Sequence, residues 1–307
     1  MHIPGHMLTE QVEMVASVVA LTGVGAALYA ALKEEKKPPR LDFARTAAVI
    51  FVLQMLNFPV QEGTSGHFLG AVLAAATLGA NFGILAMSLV LTVQTLLFGD
   101  GGITALGANI CNMALVPIWT YNLVRAYLPG RGVVTGIAAW LSVVTAAFAC
   151  GLELVLATAP VRWAALGAMV AVHSLTGVGE ALLTIGILRL FAGDGAASRT
   201  AVNMKNSWSV SLFLVVAGIL LAPFASPLPD GLEWVAAQYR LFHEGMPLFV
   251  APLHDYKTAL ITHEYLSSVT AACVGVAILS ALSWALMTGL YAGGGRQSDE
   301  GRTAKAP

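Results

Sequence analysis

Three nitrogens follow one another at the start of the chain: the amine of Met1, the amide of His2 and the imidazole of His2. Through one metal ion, amine and amide close a five-atom ring, and amide and Nδ1 close a six-atom ring. A fourth nitrogen, from His67 in the stretch Gly63-Thr64-Ser65-Gly66-His67, would complete a plane. Planar nitrogen coordination suits Ni²⁺ or Cu²⁺, whereas Zn²⁺ prefers a tetrahedron and Mg²⁺ or Ca²⁺ prefer oxygen. The plain alternative is that Met1 is only a start residue and His2 incidental, and spacing alone does not choose between them.

The elements that position these residues must lie in a membrane. Of 307 residues 57% are hydrophobic and 11% charged, against about 25% charged in soluble domains. The mean hydropathy is +0.76, so the composition predicts an all-α polytopic membrane protein. A net charge of -1, with no basic cluster interleaved with aromatics, gives no argument for nucleic acid. Cys111, Cys150 and Cys273 sit far apart in apolar sequence and read as buried small hydrophobes rather than a disulfide or metal cluster. No Lys or Arg precedes Lys33, so the basic region of a secretory signal is missing and an uncleaved Met1 is expected.

The first apolar run, residues 12–32, follows Thr9 as a candidate N-cap, with Glu10 and Glu13 in the first turn. Lys33, Lys36, Lys37 and Arg40 then form the densest basic loop. The positive-inside rule places that loop in the cytoplasm and the N-terminus outside. Further spans are expected at 42–60, 67–79, 82–98, 104–124, 133–157 and 163–190, the third short and beginning at His67. Alternation puts Arg125, Arg131, Arg189, Arg199 and Lys205 inside, and the Gln61–His67 loop outside with Met1. Residues 192–206 read as a polar cytoplasmic linker. A second unit follows, with spans at 207–225 and 267–291 around a long outside loop at 226–266. The Gly-rich tail after Tyr291 is expected to be disordered and inside.

Gln54, Asn57, Asn81, Gln94, Asn109, Asn112, Glu153, His173 and Glu180 fall within the apolar runs. Amides there commonly bond across helices, so the Asn and Gln residues read as packing glue, and Gly23, Gly25, Ala26 and Ala27 suggest close helix contact. His173 and Glu180 are two turns apart on one helix face. They read either as a structural bond between helices or as part of gating. In the 226–266 loop, His243, His254 and His263 accompany Asp230, Glu233, Glu244, Asp255 and Glu264 without compact metal-ligand spacing, and solvation is the favoured reading.

Several of these stretches resemble the CbiM/NikM family, the substrate-binding (S) component of nickel and cobalt energy-coupling factor (ECF) transporters. They are Met1-His2-Ile3-Pro4, Gly63-Thr64-Ser65-Gly66-His67, Leu97-Phe98-Gly99-Asp100-Gly101-Gly102, Leu106-Gly107-Ala108-Asn109, Asn112-Met113, and His173 to Glu180-Ala181-Leu182. Pro229-Asp230-Gly231-Leu232-Glu233 is similar to the PDGLE motif of the accessory N component, so the chain resembles a fusion of the two. The resemblance implies a seven-helix M-type module at 1–191, a linker at 192–206, and a two-helix N-type module with an extracytoplasmic loop at 207–307. It also implies an N-terminus plugged into the fold from outside. The implied ligands are the Met1 amine, the His2 amide and imidazole, and the His67 imidazole.

Nickel-type members usually continue with an acidic residue and Gly after Ile-Pro, whereas Gly5-His6-Met7 stands here. His6 is therefore an extra ligand, a metal-entry residue or a neutral substitution. The Ile3-Pro4 opening leans to Ni²⁺ over Co²⁺ as transported substrate. No phosphate-cradling Gly-x-x-x-x-Gly-Lys-Ser/Thr loop is present, so the resemblance implies a separate transmembrane coupling (T) subunit and partner ATPases in the cytoplasmic membrane. The chain itself carries no triad or metalloprotease spacing and is expected to be no enzyme, with no organic cofactor. The N-type unit would load the metal or hold the terminus in a competent state. Backbone groups near Gln61, Thr64 and Ser65 are the candidates to orient the His67 ring. The rival reading is a proton-coupled secondary transporter of a divalent cation using His173 and Glu180.

Overall fold

A computed structural model describes residues 1–61, 63–128, 132–192, 207–241 and 249–303 of the chain. Arg131, Arg199, Lys205, His243, Glu244 and the expected linker, apart from Ala192, lie outside the described residues.

Helix α1 (Glu10–Lys33) explains why the chain needs lipid. It turns the small residues Ala16, Ala20, Ala27 and Ala31 inward and leaves Met14, Val15, Val18 and Leu21 uncovered. Small residues let helix backbones approach closely, while lipid solvates the large apolar side chains as well as a protein core would. Gly23 belongs to the close face, since a Cβ there would meet the Leu115 side chain at 2.6 Å. Gly25 and Ala26 do not, for a Cβ at Gly25 meets nothing within 4 Å and Ala26 is exposed. Thr9 takes the N-cap position in extended geometry, but its hydroxyl makes no capping bond.

Five helices are long and apolar enough to cross a membrane among the described residues: Glu10–Lys33, Ala80–Phe98, Gly132–Leu156, Trp163–Ala192 and Glu264–Ala292. The others are shorter or interrupted. Helix α2 (Arg40–Gln54) stops well before residue 60, and beyond it Pro59 favours extended backbone at Phe58. There the chain forms an antiparallel hairpin of β1 (Phe58–Gln61) and β2 (Thr64–Gly66), a small departure from an all-helical reading. The third expected span shortens to α3 (Ala71–Leu78), which Gly79 at φ 84° separates from α4 (Ala80–Val93).

A single wide π turn, Gln94–Phe98, closes α4. A second, Cys111–Leu115, joins α5 (Leu106–Ile110) to α6 (Val116–Tyr127). Such turns are frequent at functional sites. Helices α7 (Gly132–Leu156) and α8 (Trp163–Ala192) run as expected.

In the second unit, α9 (Ser207–Leu221) precedes a segment that is more than a solvated loop. It contains α10 (Gly231–Tyr239), whose Leu232, Val235 and Ala236 are buried. The last helix, α11 (Glu264–Thr303), continues past Tyr291, so the expected disordered tail is helical as far as Thr303. Among the cysteines, Cys111 and Cys150 are buried and free as expected, but Cys273 is exposed.

The second unit docks on the hairpin. Ser65 N–H donates to the Pro229 carbonyl at 2.8 Å and Ser65 Oγ to the Leu228 carbonyl at 2.8 Å, making a parallel bridge between Ser65 and Asp230. Ser226 N–H donates to the Asn57 carbonyl at 2.8 Å. The free edge of β2 is thereby paired.

Candidate metal centre

The first nine residues thread into the core rather than trailing from it. Met1, Ile3 and Met7 are buried at 3%, 0% and 1% exposure. Both sides of the Ile3 backbone are held by one side chain: Asn109 Oδ1 accepts from Ile3 N–H at 2.7 Å, and Asn109 Nδ2 donates to the Ile3 carbonyl at 3.1 Å. Gly102 N–H donates to the same carbonyl at 2.9 Å. Only glycine fits at 102, since a Cβ there would sit 2.2 Å from the Gly5 nitrogen.

Threaded this way, the Met1 nitrogen reaches His67 Nε2 at 2.8 Å. With metal–nitrogen bonds of about 2.0 Å, two donors at a right angle lie roughly 2.8 Å apart. The contact between amine and ring therefore has the edge length of a planar nitrogen site. The His2 and His67 rings are stacked, with centroids 5.4 Å apart. His67 Nδ1 donates to the Phe68 carbonyl at 3.0 Å, which leaves Nε2 with its lone pair toward Met1. A backbone group thus orients the ring, as expected, but it is the Phe68 carbonyl just after His67 rather than one near Gln61, Thr64 or Ser65.

A chain of amides fixes the other ring. Gln54 Nε2 donates to the Leu69 carbonyl at 2.7 Å, so Gln54 Oε1 is left to accept from Gln94 Nε2 at 2.9 Å. Gln94 Oε1 then faces His2 Nε2 at 3.3 Å and takes its N–H. His2 Nδ1 is left as a lone pair, and it faces Asp100 Oδ1 at 3.2 Å. A lone pair opposite a carboxylate oxygen is a place for a cation.

Gln54, Gln94 and Asn109, expected as packing glue, hold the terminus instead. Asn81 and Asn112 keep the packing role, bonded to Glu34 and Glu153 at 2.7 and 2.5 Å.

Burial strips water from both rings and lowers their pKa values. For His67 the amine adds to this and the value falls to about 3. His2 is lowered by burial against a raising effect of Asp100. Both imidazoles are therefore neutral near pH 7 and present lone pairs.

Asp230, expected in a solvated loop, is instead largely covered and faces the terminus. Its Oδ2 accepts from the Met1 amine and lies 3.8 Å from His67 Nε2. Burial acts to raise its carboxyl pKa, but the amine and His67 outweigh it and hold the group below the usual carboxylate range. The sequence signal was the Asp-Gly-Leu-Glu spacing. Asp230 Oδ1 accepts from Glu233 N–H at 2.9 Å while Glu233 returns to the Asp230 N–H at 3.0 Å, a capping box that starts α10.

His173 and Glu180 support this cluster from below. Glu180 accepts from the Leu69 and Gly70 N–H groups at 2.7 and 2.9 Å, tying down the turn that follows His67. His173 Nδ1 donates to the Met169 carbonyl at 2.8 Å. Its Cε1 would lie 2.8 Å from a Cβ at residue 231, so Gly231 is required where α10 meets α8.

His6, at φ 67°, lines a cavity with His254 and is not among the residues lining the cavity at His2 and His67. His254 and Asp255 are exposed. A second cavity of about 270 Å³ opens onto the cluster, lined by His2, His67, Asp100, Asp230, Glu233 and Asp255.

Two family models cover this architecture. The cobalt uptake substrate-specific transmembrane region, CbiM, matches residues 2–195, and the PDGLE domain matches residues 205–291. The chain belongs to the CbiM family, joined to a PDGLE domain.

A protein of Archaeoglobus fulgidus whose name describes a fused nickel transport protein NikMN is 34% identical over 302 residues. The match covers 93% of this chain and 98% of that one. The fused nickel transport protein NikMN of Rhodobacter capsulatus is 30% identical over 292 residues, covering 78% and 83%. A crystal structure of a truncated transition metal transporter superposes with a TM-score of 0.54 at 32% identity, covering 61% of this chain and 96% of that one. The CbiM family and the apolar helices together make this a multi-pass membrane protein of the metal-transport class.

Proposed function

We propose that the chain is the substrate-specificity subunit of an ATP-driven ECF importer that captures Ni²⁺, or Co²⁺, outside the cell and delivers it inward. The ligands are the Met1 amine, the His2 amide and Nδ1, and His67 Nε2. The observation that carries this reading is the Met1 nitrogen 2.8 Å from His67 Nε2, with both rings turned by hydrogen bonds so that the required lone pairs are free.

Residues 1–191 form the capture module, 192–206 a cytoplasmic linker and 207–307 an N-type module that holds the terminus in its competent position. The contacts of Asp230 with Met1, and of Ser65 with Leu228 and Pro229, support that division of labour. Exposure of the terminus to the cell exterior follows from the basic loop after α1. Carboxylates around the cavity draw a divalent cation toward the four nitrogens. Binding deprotonates the His2 amide and releases protons.

Inward release requires a transmembrane coupling subunit and partner ATPases. The occupied hydrogen bonds of Glu180 and His173 favour a positioning role for these two residues over proton carriage. Uptake of radioactive nickel by cells expressing the complex tests the coupling. Deleting the partner ATPase is expected to stop uptake, while an uncoupler that spares ATP leaves it running. The opposite pattern would establish a gradient-driven transporter instead.

A further inference from the structure

The capture site as proposed holds a dication with one anionic donor, the deprotonated His2 amide, and three neutral nitrogens. That leaves a net charge of +1 in a nearly closed space, with Met1 at 3% and His67 at 9% exposure. A buried charge is costly unless it is paired. One more negative group in contact with the ion brings the sum to zero.

Asp230 is built into that position. Its Oδ1 is committed to the cap of α10, and its Oδ2 points the other way, onto the Met1 amine and toward His67 Nε2 at 3.8 Å. Its backbone is held by the bridge to Ser65, two residues before His67 in the same hairpin. Asp100 is placed differently: it faces a single ring nitrogen and shares its other oxygen with the Tyr256 hydroxyl at 2.6 Å. An oxygen touching one ligating nitrogen and close to a second lies a small side-chain rotation away from an ion bonded to both.

We propose that Asp230 Oδ2 is a fifth ligand to the captured ion, supplied by the C-terminal unit, an inference that rests on the four-nitrogen site proposed above. The C-terminal unit then closes the coordination sphere and neutralises the cargo, as well as steadying the terminus. An oxygen beside planar nitrogens suits the tetragonal preference of Ni²⁺.

The test uses the purified full chain in detergent, titrated with Ni²⁺ by calorimetry and followed by nickel X-ray absorption. Asp230→Asn is the informative variant, because Asn caps a helix as well as Asp and keeps α10 in place. Its expected effect is a loss of at least tenfold in Ni²⁺ affinity. It should also gain the pre-edge feature of planar four-coordinate nickel that the native chain lacks, which a merely structural role for Asp230 would not produce. A chain with one residue added before Met1 serves as the control on the underlying reading. Binding lost in the extended chain but unchanged in affinity and spectrum in Asp230→Asn overturns the fifth ligand and leaves the nitrogen site standing. Binding unchanged in the extended chain overturns both.

Discussion

One alanine placed ahead of Met1 lowers Ni²⁺ affinity of the purified chain by at least about 100-fold, or roughly 2.7 kcal/mol. The extension turns the Met1 amine into an amide, whose nitrogen holds a metal only after losing a proton far less readily. It also needs room that the fold does not give. Met1 is 3% exposed, with its nitrogen against both His67 and Asp230, and Ile3 behind it is fastened by Asn109 and Gly102. The new residue must either displace Asp230 or pull Ile3 out of its clamp, and each route takes the nitrogen away from His67. Calorimetric titration of the native and extended chains reads the difference. Equal affinities would mean that the terminal nitrogen is no ligand.

Asn109→Leu has the next largest effect, an expected loss of about 10- to 100-fold in Ni²⁺ affinity with little change in the melting temperature of the helical bundle. The leucine matches the amide in size but offers Ile3 neither an acceptor nor a donor. The Ile3 N–H is then buried without a partner, at a cost of about 1–3 kcal/mol, whereas its carbonyl keeps the bond from Gly102. The terminus escapes this cost by leaving its groove, so the penalty falls on the seated conformation proposed to bind metal. Asn81→Leu is the comparison: it breaks a bond to Glu34 and touches nothing at the metal centre, and affinity should stay within twofold. Native-like binding by Asn109→Leu would remove Asn109 from the device.

Local chemistry made part of this site readable in the sequence, and long-range pairing hid the rest. The Met1 and His2 nitrogens stand out because chelate rings depend on bonds along the chain, whereas His67 is tied to them by the family resemblance of its Gly-Thr-Ser-Gly-His stretch. The shared helix face of His173 and Glu180 follows from their spacing, but their partners do not. Glu180 grips backbone at Leu69 and Gly70, 111 and 110 residues away, and backbone groups carry no side-chain signature. Gln54 and Gln94 look like any amides in an apolar run until the relay from Leu69 to His2 places them in order.

Asp230 was hidden by 229 residues of separation from Met1 and by a loop rich in other carboxylates. Its capping box with Glu233 closes over three residues, but it shows only in the fold, where it starts a helix inside the expected loop. In the fold, the expected span at 42–60 ran through Pro59, and the hairpin that replaces its end depends on pairing across a turn. The stretch after Tyr291 read as disordered from its glycines, yet the backbone of α11 continues through them.

The central claim is that the beginning of the polypeptide and His67 grip one metal ion together. The most direct measurement is a crystal structure of the full chain grown with Ni²⁺, with anomalous data collected at the nickel edge. The account predicts one dominant peak at about 2 Å from both the Met1 nitrogen and His67 Nε2. A dominant peak elsewhere, such as among His6 and His254, with none between Met1 and His67, would contradict it.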